Sequence, residues 1–153
     1  MMNRFAVVDD NGIVTNLIAY DGVSETSYNP APVPLGEQLV AVGDRYINCV
    51  FYIRPRDGFE YEFTAGEGWK ITAAGQAAKD AAIIEDAERE KTARLSYASQ
   101  ITADWRTDLT LGIISDDDET KLKEWMLYIK VVKTVDASKA PNIEWPILPG
   151  QNQ

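Results

Sequence analysis

The chain has 153 residues, with 24 Asp and Glu against 15 Lys and Arg for a formal charge of −9, no histidine and one cysteine. That length suits one ordinary domain or two small halves, and 45% hydrophobic with 10% aromatic residues marks a globular chain. Without histidine, Ser-His-Asp, Cys-His and His-zinc chemistries cannot be assembled. The negative charge argues against a phosphate-backbone partner, so no nucleic acid is expected. The start Met1-Met2-Asn3-Arg4-Phe5 has no long apolar run, and no stretch approaches the roughly 18 apolar residues of a membrane span, so no membrane partner is expected. Cys49 lies in the apolar run Ile47-Asn48-Cys49-Val50-Phe51, which predicts a buried, inert thiol in a reducing compartment.

Acidity does not separate the halves: residues 1–70 carry 10 acids and 5 bases, residues 71–153 carry 14 and 10. Periodicity does. Phe5 to Val8, the turn signal Asp9-Asp10-Asn11-Gly12 and Ile13 to Tyr20 predict a hairpin. Asn29 to Gly36 holds Pro30, Pro32 and Pro34 and reads as an extended connector. Gln38 to Val42 is a candidate strand. Arg45 to Ile53 is a stronger one, with Ile47, Cys49, Phe51 and Ile53 on one face and Tyr46, Val50 and Tyr52 on the other. Such a strand is either buried between two layers or offers one aromatic face to a partner. Pro55-Arg56-Asp57-Gly58 turns the chain, and Phe59, Tyr61 and Phe63 then alternate with Glu60 and Glu62, a core face beneath an acidic one.

Composition changes after Trp69-Lys70-Ile71. Alanine and charged residues predict a helix from about 76 to 109, about 50 Å long at about 1.5 Å per residue. Its second half carries a stripe through Leu95, Ala98, Trp105 and Leu109. The first half is thin in apolar residues, so it is either exposed or covered by another chain. Gly112 closes the helix, and Ser115 opens the next with Asp116, Asp117, Asp118 and Glu119 at its positive end. The acidic run has no Gly-spaced calcium loop around it, so no metal is expected. That second helix runs to about Thr134 with Leu122, Trp125, Met126, Ile129 and Val132 on one stripe, completing an antiparallel helical hairpin. Ile143, Trp145 and Ile147 are too apolar for a free tail and are expected to dock on the hairpin or on a partner. The fold class expected is α+β: a small antiparallel β domain over residues 1–71, then a long helix and an antiparallel helical hairpin with a Pro- and Trp-containing tail over residues 72–153.

The long Ala-rich helix, Leu111-Gly112-Ile113-Ile114-Ser115 with its acids, Leu122-Lys123-Glu124-Trp125 with Tyr128, and the ending from Val135 and Asp136 through Pro141, Ile143, Trp145 and Pro146 resemble the tail fibre assembly proteins of tailed bacteriophages over residues 75–149. The resemblance implies a dedicated, non-enzymatic chaperone without cofactor, acting on the C-terminal, receptor-binding region of a trimeric tail fibre. It implies work in the host bacterial cytoplasm during assembly, with retention on the fibre tip and contact with host surface glycans as the alternative. The Gly66-Glu67-Gly68 segment is too short and acidic for a phosphate loop. A carboxylate-pair glycosidase needs two acids at a set separation, which the pattern does not locate. The partner-binding candidates are Tyr46, Tyr52, Phe59, Tyr61, Phe63 and Trp69, which otherwise form the domain's own core. Trp105 and the motif residues Trp125, Asp136, Pro141, Ile143, Trp145 and Pro146 are expected to be scaffold. Self-association through residues 76–92 is a further expectation.

Overall fold

The computed structural model describes residues 3–21 and 27–151. Contacts gather into two compact units, Met1–Ala77 and Ala78–Gln153.

In the first unit, strand β1 (Asn3–Val8) is central in a sheet of order β2-β1-β3, with β2 at Val14–Tyr20 and β3 at Val33–Pro34. Both pairings are antiparallel, Ala6 lying opposite Leu17 on one side and Val33 on the other. The connecting turn works as the sequence predicts. The Asp9 carboxylate accepts from the backbone N–H groups of Asn11 at 2.9 Å and Ile13 at 2.8 Å, and Gly12 takes a positive φ of 73°. The proline-rich connector differs from expectation at Val33–Pro34, which forms a short edge strand; Pro34 is tolerated there because an edge leaves one side without ladder bonds. The expected strand at Gln38 to Val42 is a loop, although Val40 is buried with Ala6, Val8, Val14 and Leu35. Nothing of the hairpin's last expected turn beyond Asp21 lies within the described residues until Ser27.

The expected single strand from Arg45 to Ile53 is two strands. β4 (Arg45–Ile47) and β5 (Val50–Tyr52) form a hairpin about Asn48 and Cys49, whose φ values of 51° and 64° make the left-handed two-residue turn that matches strand twist. Cys49 is therefore exposed at a hairpin tip, not buried. Tyr46 and Phe51 become a cross-strand pair with ring centroids 4.6 Å apart, packed on the core of the first unit. The next hairpin pairs β6 (Tyr61–Thr64) with β7 (Gly68–Ile71); Phe59 lies before it.

Helix α1 (Ala73–Ile101) opens with Thr72, whose hydroxyl accepts from the Gly75 N–H at 3.0 Å. Glycine is required at 75, since a Cβ there would lie 2.3 Å from the Glu60 carbonyl oxygen. The expected single long helix is interrupted at Thr102, after which α2 runs Ala103–Leu111. Thr102 is fully buried and its hydroxyl donates to the Ala98 carbonyl at 2.8 Å, the back-bonding that bends helices. Gly112 closes α2 in the left-handed conformation, and Ser115 caps α3 (Asp116–Thr134). The Ser115 hydroxyl accepts from the Asp118 N–H at 3.2 Å, and Lys121 and Ser115 hold the Asp118 carboxyl below its ordinary range. The core of the second unit is Ala98, Tyr128 and Val132, with Leu95, Trp125, Ile129 and Leu148 against it. Tyr128, outside the expected stripe, is buried, while Met126 within it is only part-covered at 38% exposure. Leu148 rather than Ile147 packs on this core, and Ile147 is 67% exposed, which leaves a partner as its expected docking place.

Candidate functional site

The aromatic residues of the β half do not form one surface. Tyr46 belongs to the first unit's core. Tyr52, Phe63 and Trp69 form a second group: the Phe63 ring centroid lies 5.4 Å from Tyr52 and 5.3 Å from Trp69, both edge-on. Phe63 and Trp69 are directly opposed across β6 and β7, so a two-residue period places both on one face. The Trp69 indole N–H donates to the Tyr52 carbonyl at 3.0 Å, tying this hairpin to β5. Arg45 and Arg54 lie over the rings, 5.4 Å from Phe63 and 5.6 Å from Trp69. All three aromatics are half-buried, so each has a packed side and a wet side.

Tyr61 and Phe59 are held by Asp57. The Tyr61 hydroxyl donates to the Asp57 carboxylate at 2.8 Å, which keeps the phenol proton bound and raises its pKa, and the Phe59 N–H donates to the same carboxylate at 3.3 Å. Phe59 then walls a cleft with Val42, Asp44, Arg54, Pro55 and Arg56.

Asp44, which the sequence offers only as part of a Gly-Asp turn, organises this region. Its side chain is almost fully buried and accepts from the Ala41 N–H at 2.8 Å, the Arg54 N–H at 2.9 Å and the Arg56 guanidinium at 2.8 Å. Its own carbonyl accepts from the Val14 N–H at 2.9 Å. Asp44 thus fixes the loop before β4 and the segment after β5 through its carboxylate, and the start of β2 through its backbone carbonyl. A buried aspartate with this many donors could have been sought in the sequence only through the two nearby arginines.

Two motif residues of the second unit, Trp145 and Pro146, are engaged by Arg94. Its guanidinium lies 4.9 Å from the Trp145 ring, and donates to the Pro146 carbonyl at 3.3 Å, the Tyr128 hydroxyl at 3.4 Å and the Glu90 carboxylate at 2.6 Å. Trp125 stacks edge-on between Tyr97 and Tyr128, at 5.9 and 5.7 Å. Asp136 caps the single 3₁₀ turn Ala137–Lys139, accepting from the Ser138 hydroxyl at 2.7 Å and N–H at 3.0 Å, bonds that hold its carboxyl below the ordinary range. Pro141 is exposed and Ile143 is half-buried. Trp105 is half-buried on α2. Arg94, central to this arrangement, has no signal in sequence beyond its place on a helix. Among the described residues no group of three or more Cys, Asp or Glu could hold a metal ion, and no helix is long and apolar enough to cross a membrane.

The family described as Caudovirales tail fibre assembly protein, lambda gpK, matches residues 18–150. The chain belongs to the tail fibre assembly protein family. Among similar proteins, tail fiber assembly protein U' of Escherichia phage Mu is 44% identical over 57 residues, 37% of this chain and 32% of that protein. Its namesake in Escherichia phage P1 is 40% identical over the same share of each chain. The tail fiber assembly protein of Escherichia phage lambda is 32% identical over 93 residues, 60% of this chain and 46% of that protein. The chain thus matches between about a third and a half of the length of these relatives. No solved structure matches it.

Proposed function

We propose that this tail fibre assembly protein is a non-enzymatic chaperone that binds the C-terminal, receptor-binding region of a phage tail fibre and promotes its folding and trimeric assembly. The observation that carries the reading is the family match across residues 18–150, joined to relatives named as tail fiber assembly proteins. Fibre ends rich in β structure pass through states with open strand edges and exposed apolar faces, and a partner that covers these favours the native product by mass action without nucleotide. The surface proposed to do this is the β half, residues 1–71, through the wet faces of Tyr52, Phe63 and Trp69 with Tyr61 and Phe59. Aromatic side chains flanked by arginine have the composition of interface hot spots. Tyr46 contributes by holding the β4-β5 hairpin. The helical half, residues 72–153, is proposed as scaffold, its ending locked through Arg94, Trp145 and Pro146, with self-association through the outer face of residues 76–92.

Size-exclusion chromatography with light scattering, on the chain alone and with a soluble C-terminal fibre fragment, tests the reading. A defined complex at fixed stoichiometry is expected, and a Trp69→Ala, Phe63→Ala double variant that remains folded is expected to lose it. Elution of the two proteins as separate species contradicts the reading.

A further inference from the structure

The cleft beside the aromatic group is lined by two arginines and one aspartate. It encloses about 340 Å³ and is walled by Val42, Asp44, Arg54, Pro55, Arg56 and Phe59. The chain carries a charge of −9, and its first 70 residues hold only five bases, of which two line this cleft. The two arginines differ in how they are engaged. Arg56 is spent on the buried Asp44 carboxylate and on the Leu39 carbonyl at 3.4 Å. Arg54 makes no side-chain hydrogen bond or ion pair among the described residues; its guanidinium only overlies Trp69, at 5.6 Å. Its backbone is nonetheless fixed, because its N–H donates to Asp44. Asp44 therefore neutralises Arg56 and positions Arg54, leaving one exposed cation on an ordered segment. Apolar side chains share the cleft with it: Val42, 62% exposed, on the loop before β4, and Pro55 and Phe59 on the segment that follows Arg54.

We propose that this cleft binds an extended acidic segment of a partner protein, a Glu or Asp side chain pairing with Arg54 while the apolar residues flanking it in the partner's chain pack on Val42 and Phe59. A cation and apolar walls in one open cleft fit the interior of a peptide, where a carboxylate has apolar neighbours. The guanidinium's second role, over Trp69, holds it in place for bidentate pairing with a carboxylate. In the case that the partner is the fibre, this assignment rests on the proposed function and names the chemistry of the fibre segment recognised.

The test uses the full chain in two arms. In the first, isotope-labelled protein is titrated with the acetylated, amidated pentapeptide Val-Glu-Val-Glu-Val and with its Gln counterpart, followed by NMR. Shifts at the Arg54 side-chain N–H, the Val42 methyls and Phe59 are expected with the Glu peptide. The affinity is expected to fall about tenfold for the Gln peptide and for Arg54→Gln, to fall less in Arg54→Lys, which keeps the charge but not the planar fork, and to weaken with salt. No shifts in the cleft, or equal affinity for the two peptides, overturns the proposal. In the second arm, Arg54→Glu protein with unchanged far-UV circular dichroism and melting temperature is mixed with the fibre fragment. Loss of the complex supports the assignment. A complex as tight as wild type's overturns it for the fibre and leaves the chaperone reading intact, whereas acidic peptide in the cleft with no fibre binding by wild type overturns the chaperone reading alone.

Discussion

The indole N–H of Trp69 donates to the backbone carbonyl of Tyr52 at 3.0 Å. This bond joins β7 to β5 and sets the edge-on contacts of Phe63 with both aromatic neighbours. Replacing Trp69 by Phe keeps an aromatic ring but leaves the Tyr52 carbonyl without its donor. We expect a loss of about 1 to 2 kcal/mol in stability by chemical denaturation. A Trp69→Phe protein as stable as wild type would show that the two hairpins are held together in another way.

Asp44 is the most consequential single side chain of the β half, because three donors converge on it in a nearly dry site. Asp44→Ala strands two backbone N–H groups and releases Arg56. The expected cost is about 3 kcal/mol, enough to unfold a marginal domain. Asp44→Asn, which keeps the shape and part of the acceptor capacity, is expected to cost less. Urea melts of the two variants check the order.

Cys49 at the hairpin tip gives a direct chemical prediction. Its φ of 64° places a side chain in a conformation that glycine takes without penalty, and its thiol is exposed. Cys49→Gly is expected to leave the melting temperature unchanged or raise it, by an amount corresponding to at most about 1 kcal/mol, since relief of the left-handed strain is partly offset by glycine's greater chain entropy. The native wild-type thiol is expected to react with Ellman's reagent at a rate near that of the unfolded chain. A thiol protected in the native state would contradict the turn.

The lowered carboxyls of Asp118 and Asp136 have a defined pH sense. Each is hydrogen-bonded in its charged form, Asp118 by Lys121 and Ser115, Asp136 by Ser138. A folded value below the unfolded one means that their contribution is complete above the unfolded carboxylate pKa and is lost as pH falls through the folded value. Carboxyl NMR titration is expected to give midpoints for both below the ordinary aspartate value. Ser115→Ala is expected to raise the Asp118 midpoint and cost about 1 kcal/mol through loss of the cap.

Much of this architecture was legible in the residues. The Asp9 to Gly12 turn, the alternation of Tyr61 and Phe63 with Glu62 and the Ser115 cap all follow from local chemistry that tertiary context only reinforces. The failures share a cause. Asn48 and Cys49 break a two-residue alternation without any glycine or proline to mark the turn, so the pattern reads straight through them. Val33 and Pro34 become a strand only because β1 has a free side, which no local signal reports. Thr102, where the helix is interrupted, is an ordinary helical residue in sequence and is set apart only by its full burial, and Leu148 rather than Ile147 packs on the second core, a choice between two apolar neighbours that only tertiary packing makes. The candidate site was legible as a set of residue types but not as a grouping. Tyr46 went to the core, Phe59 to a cleft, and the residue that organises them, Asp44, carries no pattern at all.

Co-expression of the chain with a phage tail fibre protein, followed by light scattering on the soluble fraction, tests the central claim most directly. The account predicts soluble, trimeric fibre when the chain is present and aggregated or monomeric fibre when it is absent. Fibre that reaches the same yield of soluble trimer without the chain would contradict it.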